Sequence, residues 1–303
     1  MSKAKIATEW LMVCSGCHIS LLDIHEALLD VLAKAEFVRS PVLMDVKEFV
    51  PADVGIITGG IRNEHNIHVA KEMRKNCKII VSLGSCACFG GTPGLANMYT
   101  REEIFKKVYL ECMGVDNPLD REPRDDIPPL TEKVAPLSSV IDVDVILPGC
   151  PPVPELIAQA VMSLLGGEPL DLPNQSVCEP CPLEKKHTKI TEIKRWYHSA
   201  NEEIEPDRCF LEQGYICLGP VTWGLCDARC TKVGVPCRGC HGPLNPDPVK
   251  GTDPGMDTAS LLGTLASDLP MEKVLEAMAN DPLPMLYQHQ LPYAKIGNIK
   301  EKQ

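Results

Sequence analysis

Fifteen cysteines in a chain of 303 residues, many set in tight pairs or at the ends of apolar runs, constrain this chain more than any other feature. Disulfide scaffolds of secreted proteins are usually much shorter and follow a signal peptide. Here the opening MSKAKIATEW leads straight into a strand-like segment and then Cys14. The expectation is a cytoplasmic protein whose reduced thiols hold metal rather than each other. Thirty basic residues against 41 acidic ones leave a formal charge of −11. That balance argues against a nucleic-acid protein, which needs clustered Lys and Arg to neutralise phosphates. No apolar run reaches the length of a membrane span.

The first half alternates strand and helix signals. Ile6 to Val13 is an apolar run that stops at Cys14-Ser-Gly-Cys17, and Ser20 to Lys34 repeats apolar residues at helical spacing. Strand-like pieces follow at Glu36 to Met44, Val54 to Thr58, Cys77 to Leu83 and Val143 to Leu147. Helical patterns occupy Glu64 to Lys75 and Pro154 to Leu165. Apolar strands alternating with helices predict a parallel sheet covered on both faces. Residues 1–166 therefore read as a doubly wound α/β domain of the flavodoxin-like kind, with a long insertion from Gly90 to Leu137. Residues 167–303 read as a second, irregular domain, with helices only at Thr258 to Ala266 and Met271 to Ala279. Fifteen prolines lie between Pro169 and Pro292, and eight cysteines between Cys178 and Cys240. Such a segment cannot offset its ordering entropy by apolar burial alone. A metal framework would supply the missing cross-links, because ligation and folding are coupled.

Three cysteine features of the first domain share one geometry. Cys14 and Cys17 follow the first strand, Cys86 follows the CKIIVSL strand, and Cys150 follows the VDVIL strand. Open parallel sheets bind ligands at the carboxyl ends of their strands, so these loops bring four thiolates to one edge. Four thiolates suit a 4Fe-4S cubane; zinc, which takes the same number, competes. A thioredoxin-like pair at Cys14 and Cys17 would leave Cys86 and Cys150 unexplained. Spacing does not decide between Cys86 and Cys88. In the second domain Cys178, Cys181, Cys209 and Cys217 form one set of four. Cys226, Cys230, Cys237 and Cys240 form another, and paired C-x-x-C units leave zinc open for both. Cys77 reads as core, and Cys112 has no evident partner. His65 and His68 read as a solvated or packed pair on a helix, and His18 and His241 as residues lining a metal site. SLGSCACFGG lacks the Lys-Ser/Thr of a P-loop, no G-x-G-x-x-G follows a strand, and no hydrolytic triad stands out.

On these motifs the sequence resembles the small subunit of NiFe hydrogenases. The resemblance rests on C-S-G-C-H at 14–18, G-S-C-A-C-F-G-G at 84–91 and P-G-C-P-P at 148–152. It continues through C-L-G-P-V-T-W-G-L-C at 217–226 and P-C-R-G-C at 236–240. It implies three 4Fe-4S clusters: proximal on Cys14, Cys17, Cys86 and Cys150, medial on Cys226, Cys230, Cys237 and Cys240, and distal on Cys178, Cys181, Cys209 and Cys217. Periplasmic relatives commonly have histidine in place of Cys178 and proline in place of Cys230. The all-cysteine pattern resembles the cytoplasmic methyl-viologen-reducing, deazaflavin-non-reducing hydrogenases of methanogens. That likeness implies an oxidoreductase subunit with no catalytic residues of its own. Its partners would be a large subunit with the nickel-iron centre and an electron-accepting subunit that leads to heterodisulfide reductase. The alternatives are the small subunit of a deazaflavin-reducing hydrogenase or a sulfhydrogenase and, from another class, a zinc-stabilised scaffold.

Overall fold

Short runs of Val, Ile and Ala make the strands of the computed structural model, which describes residues 3–244, 246, 253–278 and 281–294. They are β1 (Ala4–Trp10), β2 (Ala35–Arg39), β3 (Ala52–Thr58), β4 (Ile61–Asn63), β5 (Cys77–Leu83), β6 (Leu130–Ala135) and β7 (Val145–Leu147). Five of them form an all-parallel sheet in the order β2-β1-β3-β5-β7. Counting only sheet strands, this is the 2-1-3-4-5 order of a flavodoxin-like doubly wound fold, as the strand–helix alternation predicts. β4 and β6 pair antiparallel in a separate two-stranded ribbon.

Alternation along each strand sends neighbouring side chains to opposite faces. Ile6, Val54, Ile56, Val81 and Leu83 pack on one side with helices α1 (Gly16–Leu22), α2 (Ala27–Lys34) and, further along the chain, the helix at Pro154–Gly166. Ala7, Ile57 and Ile80 pack on the other side against Val69, Ala70 and Met73 of α3 (Glu64–Asn76). Asn63 starts α3 by accepting the Asn66 N–H at 2.8 Å, while Asn66 accepts from Asn63 in return. Arg74 and Lys75 close it where the helix dipole favours cations. After α4 (Ser85–Phe89) and α5 (Arg101–Phe105), α6 (Pro154–Gly166) has proline in its first turn and ends at Gly167, whose φ is +69°.

Two of the expected elements differ in extent, and β4, β6, α7 (Arg229–Lys232) and α10 (Pro282–Tyr287) are additional to the expectation. The apolar period over Ser20 to Lys34 spans two helices, α1 and α2. They are separated at His25, which holds a left-handed φ of +54° with no Gly or Pro to mark the break. The expected strand to Met44 ends at Arg39, beyond which the chain turns and the Met44 N–H bonds back to Ser40 O.

Beyond residue 166 the chain runs through short turns, α7 (Arg229–Lys232), α8 (Pro254–Ala266), α9 (Met271–Met278) and α10 (Pro282–Tyr287). The helical pattern to Ala279 holds as far as Met278; Ala279 lies outside the described residues. Phe210, Tyr215, Leu261, Leu265, Met285 and Leu286 centre a hydrophobic cluster that also contains Cys217 and Cys237. The halves are joined where Trp223 and Leu225 enter the sheet's cluster and where Phe89 meets Tyr293 edge-on at 5.1 Å. Among the described residues no helix is long and apolar enough to cross a membrane.

Candidate metal centres

The loops after β1, β5 and β7 leave the same edge of the sheet, and each is pinned by backbone hydrogen bonds. Met12 and Gly60 exchange two such bonds at 3.1 Å, fixing the chain just before Cys14. Gly84 N–H donates to Leu147 O and Ser85 N–H to Gly149 O, both at 2.8 Å, so the second and third loops are tied together. Cys14, Cys17, Cys86 and Cys150 converge there. Burial is the main reason the Cys17 thiol is pushed up, with like-charge contributions from Cys86, Cys150, Cys88 and Cys14. Cys86 is pushed up to about 12 by burial, then by Cys150 and Cys14. Burial raises Cys150 too, and Cys14 adds to it.

Glycine makes room for the sulfurs. A Cβ at Gly91 would stand 2.6 Å from Cys86 Sγ, and one at Gly84 would collide with Cys17 Sγ. Cys86 and Cys88 are placed differently. Cys88 is fully buried behind the loop, where its Sγ lies 3.3 Å from both the hydroxyl and the carbonyl oxygen of Ser82. Cys86 shares the edge with Cys14 and Cys150.

Cys226, Cys230, Cys237 and Cys240 form a second group. Burial pushes Cys240 up, aided by Cys237, Cys226, Cys230 and, more weakly, Cys150 of the first group. Ser85, on the Cys86 loop, donates its hydroxyl to Cys240 O. Cys237, pushed up to about 12 by burial, feels Cys226 and Cys230, while its own N–H donates to Cys217 Sγ at 3.2 Å. Burial pushes the Cys217 thiol up, with Cys237 the larger and Cys178 the smaller like charge; Cys178, itself raised by burial, feels Cys209 and Cys181. A Cβ at Gly219 would press on Cys178 Sγ at 3.3 Å and Cys217 Sγ at 3.5 Å.

The donor chemistry of these groups fits iron-sulfur clusters. All twelve candidate donors are thiols, and glycine leaves room beside sulfurs of the first and third groups. Among the described residues no three ligand side chains converge on a single ion. The ligands of a cubane are each bound to a different iron.

The remaining candidates sit apart. Cys77 is buried in β5, and burial takes its thiol to about 11. Cys112 is exposed. His65 and His68 are exposed on α3. His18 and His241 are buried and held to about 4 by that burial. His18 Nδ1 meets Thr58 Oγ1 at 3.1 Å, and His241 Nδ1 lies 3.4 Å from Cys240 Sγ. Sequence reasoning passes over Arg238 as a mere motif position. Its guanidinium is folded over the Trp196 ring beside Cys237, and no local pattern pairs residues 42 apart.

Sequence comparison matches this geometry to known proteins. The chain is 42% identical over 275 residues to an F420-non-reducing hydrogenase subunit of Methanothermobacter marburgensis, covering 89% of this chain and 86% of that one. It belongs to the family of hydrogenase small subunits that this relative represents. A vhu-type F420-non-reducing hydrogenase subunit of Methanocaldococcus jannaschii is 41% identical over 299 residues, covering 97% of this chain and 96% of the relative. The family model for the NADH ubiquinone oxidoreductase 20 Kd subunit matches residues 14–164. Among solved structures, an NAD+-reducing NiFe hydrogenase in its H2-reduced state matches with a TM-score of 0.55 and 36% identity. That match covers 57% of this chain and 96% of the other. The motif resemblance is thus borne out, and the chain is a subunit of an oxidoreductase, a hydrogenase.

Proposed function

We propose that this chain is the electron-transferring subunit of a cytoplasmic hydrogenase. It would take electrons from a large subunit that carries the nickel-iron centre and deliver them to an electron-accepting subunit that leads to heterodisulfide reductase. Three 4Fe-4S clusters would supply the one-electron carriers. Cys14, Cys17, Cys86 and Cys150 would hold the proximal one, Cys226, Cys230, Cys237 and Cys240 the medial one, and Cys178, Cys181, Cys209 and Cys217 the distal one. Residues 1–166 would form the domain of the first site, and residues 167–303 the domain of the other two.

The observation that carries this reading is the serial contact between the three groups. Cys240 is tied to the first group by the Ser85 hydroxyl on the Cys86 loop, and Cys237 to the third by its N–H to Cys217 Sγ. A scaffold has no need for its ligand sets to touch in sequence, whereas a relay does. The chain's own residues do the remaining work. Buried Phe210, Ile216 and Leu218 surround the Cys217 side and keep water from it. Backbone N–H groups at Gly219, Cys237 and Gly239 donate to the Cys217 and Cys237 sulfurs and favour their anionic form. Thr222 adds a side-chain hydrogen bond to Cys237.

Anaerobic purification of the complex tests the proposal. Iron and acid-labile sulfide should each approach about twelve per chain, four for each site. A value near eight removes one site, and stoichiometric zinc in a colourless protein overturns the reading.

A further inference from the structure

Arg238 lies between two of the proposed medial ligands, Cys237 and Cys240, in a loop otherwise made of thiols and small residues. Its guanidinium stacks 4.1 Å from the centre of the Trp196 ring and donates to Gln288 Oε1. Neither partner is charged. Asp281, whose field reaches Arg238, is bound by Arg195. The thiolate that remains is that of Cys237, its immediate neighbour in the chain. A guanidinium is charged at neutral pH. The same charge helps hold the neighbouring His289 neutral, its pKa lowered to about 4 mainly by burial. A cation costs desolvation energy here unless it serves an anion that the protein must stabilise.

We propose that Arg238 is the fixed positive charge that raises the reduction potential of the group held by Cys226, Cys230, Cys237 and Cys240. This rests on the iron-sulfur reading of the preceding section. Reduction adds one negative charge to a site already surrounded by four thiolates. A permanent cation alongside favours the reduced form, and net charge near the ligands is a recognised lever on such potentials. Its effect is enlarged because Cys237 is buried, where the local dielectric is low. Arg238 is a positioning and tuning residue: it touches no reacting atom and acts through Cys237. Trp196 and Gln288 fix the guanidinium without neutralising it, which is what a tuning charge requires.

The test is a redox titration of the anaerobically purified complex, followed by electron paramagnetic resonance. Arg238→Gln removes the charge but keeps an amide donor, and one reduced-cluster signal should move to lower potential. Arg238→Lys keeps the charge and should stay near the wild-type potential. Gln288→Glu leaves Arg238 in place and sets a carboxylate against it, and should move the same signal in the same direction as Arg238→Gln. A merely structural Arg238 would behave differently, with Lys resembling Gln and Gln288→Glu, which strengthens the contact, having no effect on potential. Unchanged potentials in both Arg238→Gln and Gln288→Glu, at full iron content, overturn the inference. Absence of any iron-sulfur signal from the wild-type complex would instead overturn the reading beneath it.

Discussion

The glycine cradle around Cys86 gives the sharpest way to perturb one site while leaving its ligands chemically intact. In Gly91→Ala the added Cβ would lie 2.6 Å from Cys86 Sγ, 2.9 Å from Cys86 Cα and 3.0 Å from Cys86 N. Ordinary non-bonded contact is about 3.5–4.0 Å, so the sulfur or the methyl has to retreat by about 1 Å. The backbone offers no easy relief. Gly91 has φ +59° and ψ −166°, a region that is essentially glycine-only and costs other residues about 1–3 kcal/mol. Crowding in a packed loop adds about 1–3 kcal/mol more. Displacing a thiolate by about 1 Å is severe when ligand distances are specified to about 0.2 Å. The control is Gly167→Ala at the end of α6, where φ is +69° but a Cβ meets nothing within 4 Å. It should cost only the left-handed backbone, about 1–2 kcal/mol, and keep every cluster. The assays are thermal melting with iron and sulfide analysis on both variants. Gly91→Ala is expected to melt lower than Gly167→Ala and to lose about four of about twelve irons. Full iron and an unaltered paramagnetic spectrum in Gly91→Ala would refute the argument that Cys86 faces a cluster.

Three further outcomes follow from the same geometry. Cys86→Ser should lose the proximal iron while Cys88→Ser keeps it, since only Cys86 shares the edge with Cys14 and Cys150; iron analysis of the two variants decides. Cys230→Pro should leave the medial site three ligands, giving a signal of an oxidised three-iron cluster in electron paramagnetic resonance, and an unchanged spectrum would remove Cys230 from the ligand set. Glu9→Gln should cost about 3–5 kcal/mol in denaturant unfolding, because Glu9 is the buried partner of Arg39, which also sits 4.2 Å from the centre of the Phe49 ring. A cost below about 1 kcal/mol would show that Arg39 is satisfied by the Lys47 and Glu48 carbonyls alone.

What the sequence makes legible is whatever a short periodic pattern encodes. Val54 to Thr58 and Cys77 to Leu83 read as buried strands because both faces of a parallel sheet are covered and nearly every position is apolar. The convergence of Cys14, Cys17, Cys86 and Cys150 follows from that sheet alone, since each loop leaves the same edge. The break at His25 is not legible, because its left-handed backbone carries no glycine to mark it. β4 and β6 escape notice because three- and six-residue strands give too few alternations, and their pairing joins residues about seventy apart. The choice of Cys86 over Cys88 needs the direction of a helical turn. In α4 the two side chains point to different sides, one to the loop edge and one to Ser82. The setting of Arg238 depends on Trp196 and Gln288, each more than forty residues away.

The contacts between sites are made by backbone and short side chains rather than by long flexible ones, and this bears on how the chain can work. The Cys237 N–H to Cys217 Sγ bond and the Leu218 N–H to Cys237 O bond clamp two ligand loops face to face. Trp223 N–H to Gly242 O and the Ser85 hydroxyl to Cys240 O tie the medial loop to the sheet edge. Gly242 allows this approach, with φ +68° and a position where a Cβ would strike the Phe89 ring. Pro292 lies over Gly90 and Gly94 and holds the other side of the Cys86 loop. Long side chains would let the sites drift by ångströms, since each added rotatable bond must be frozen at an entropic cost. Backbone clamps fix the separation once the chain has folded. The same clamps explain why a proline-rich half with few regular elements can be ordered: Cys217 and Cys237 are members of its hydrophobic cluster, so the proposed ligation would act on residues that apolar burial already holds. Ligand loss in the second half should therefore weaken its fold more than loss at the sheet edge, where the strands are held by their own ladder of hydrogen bonds.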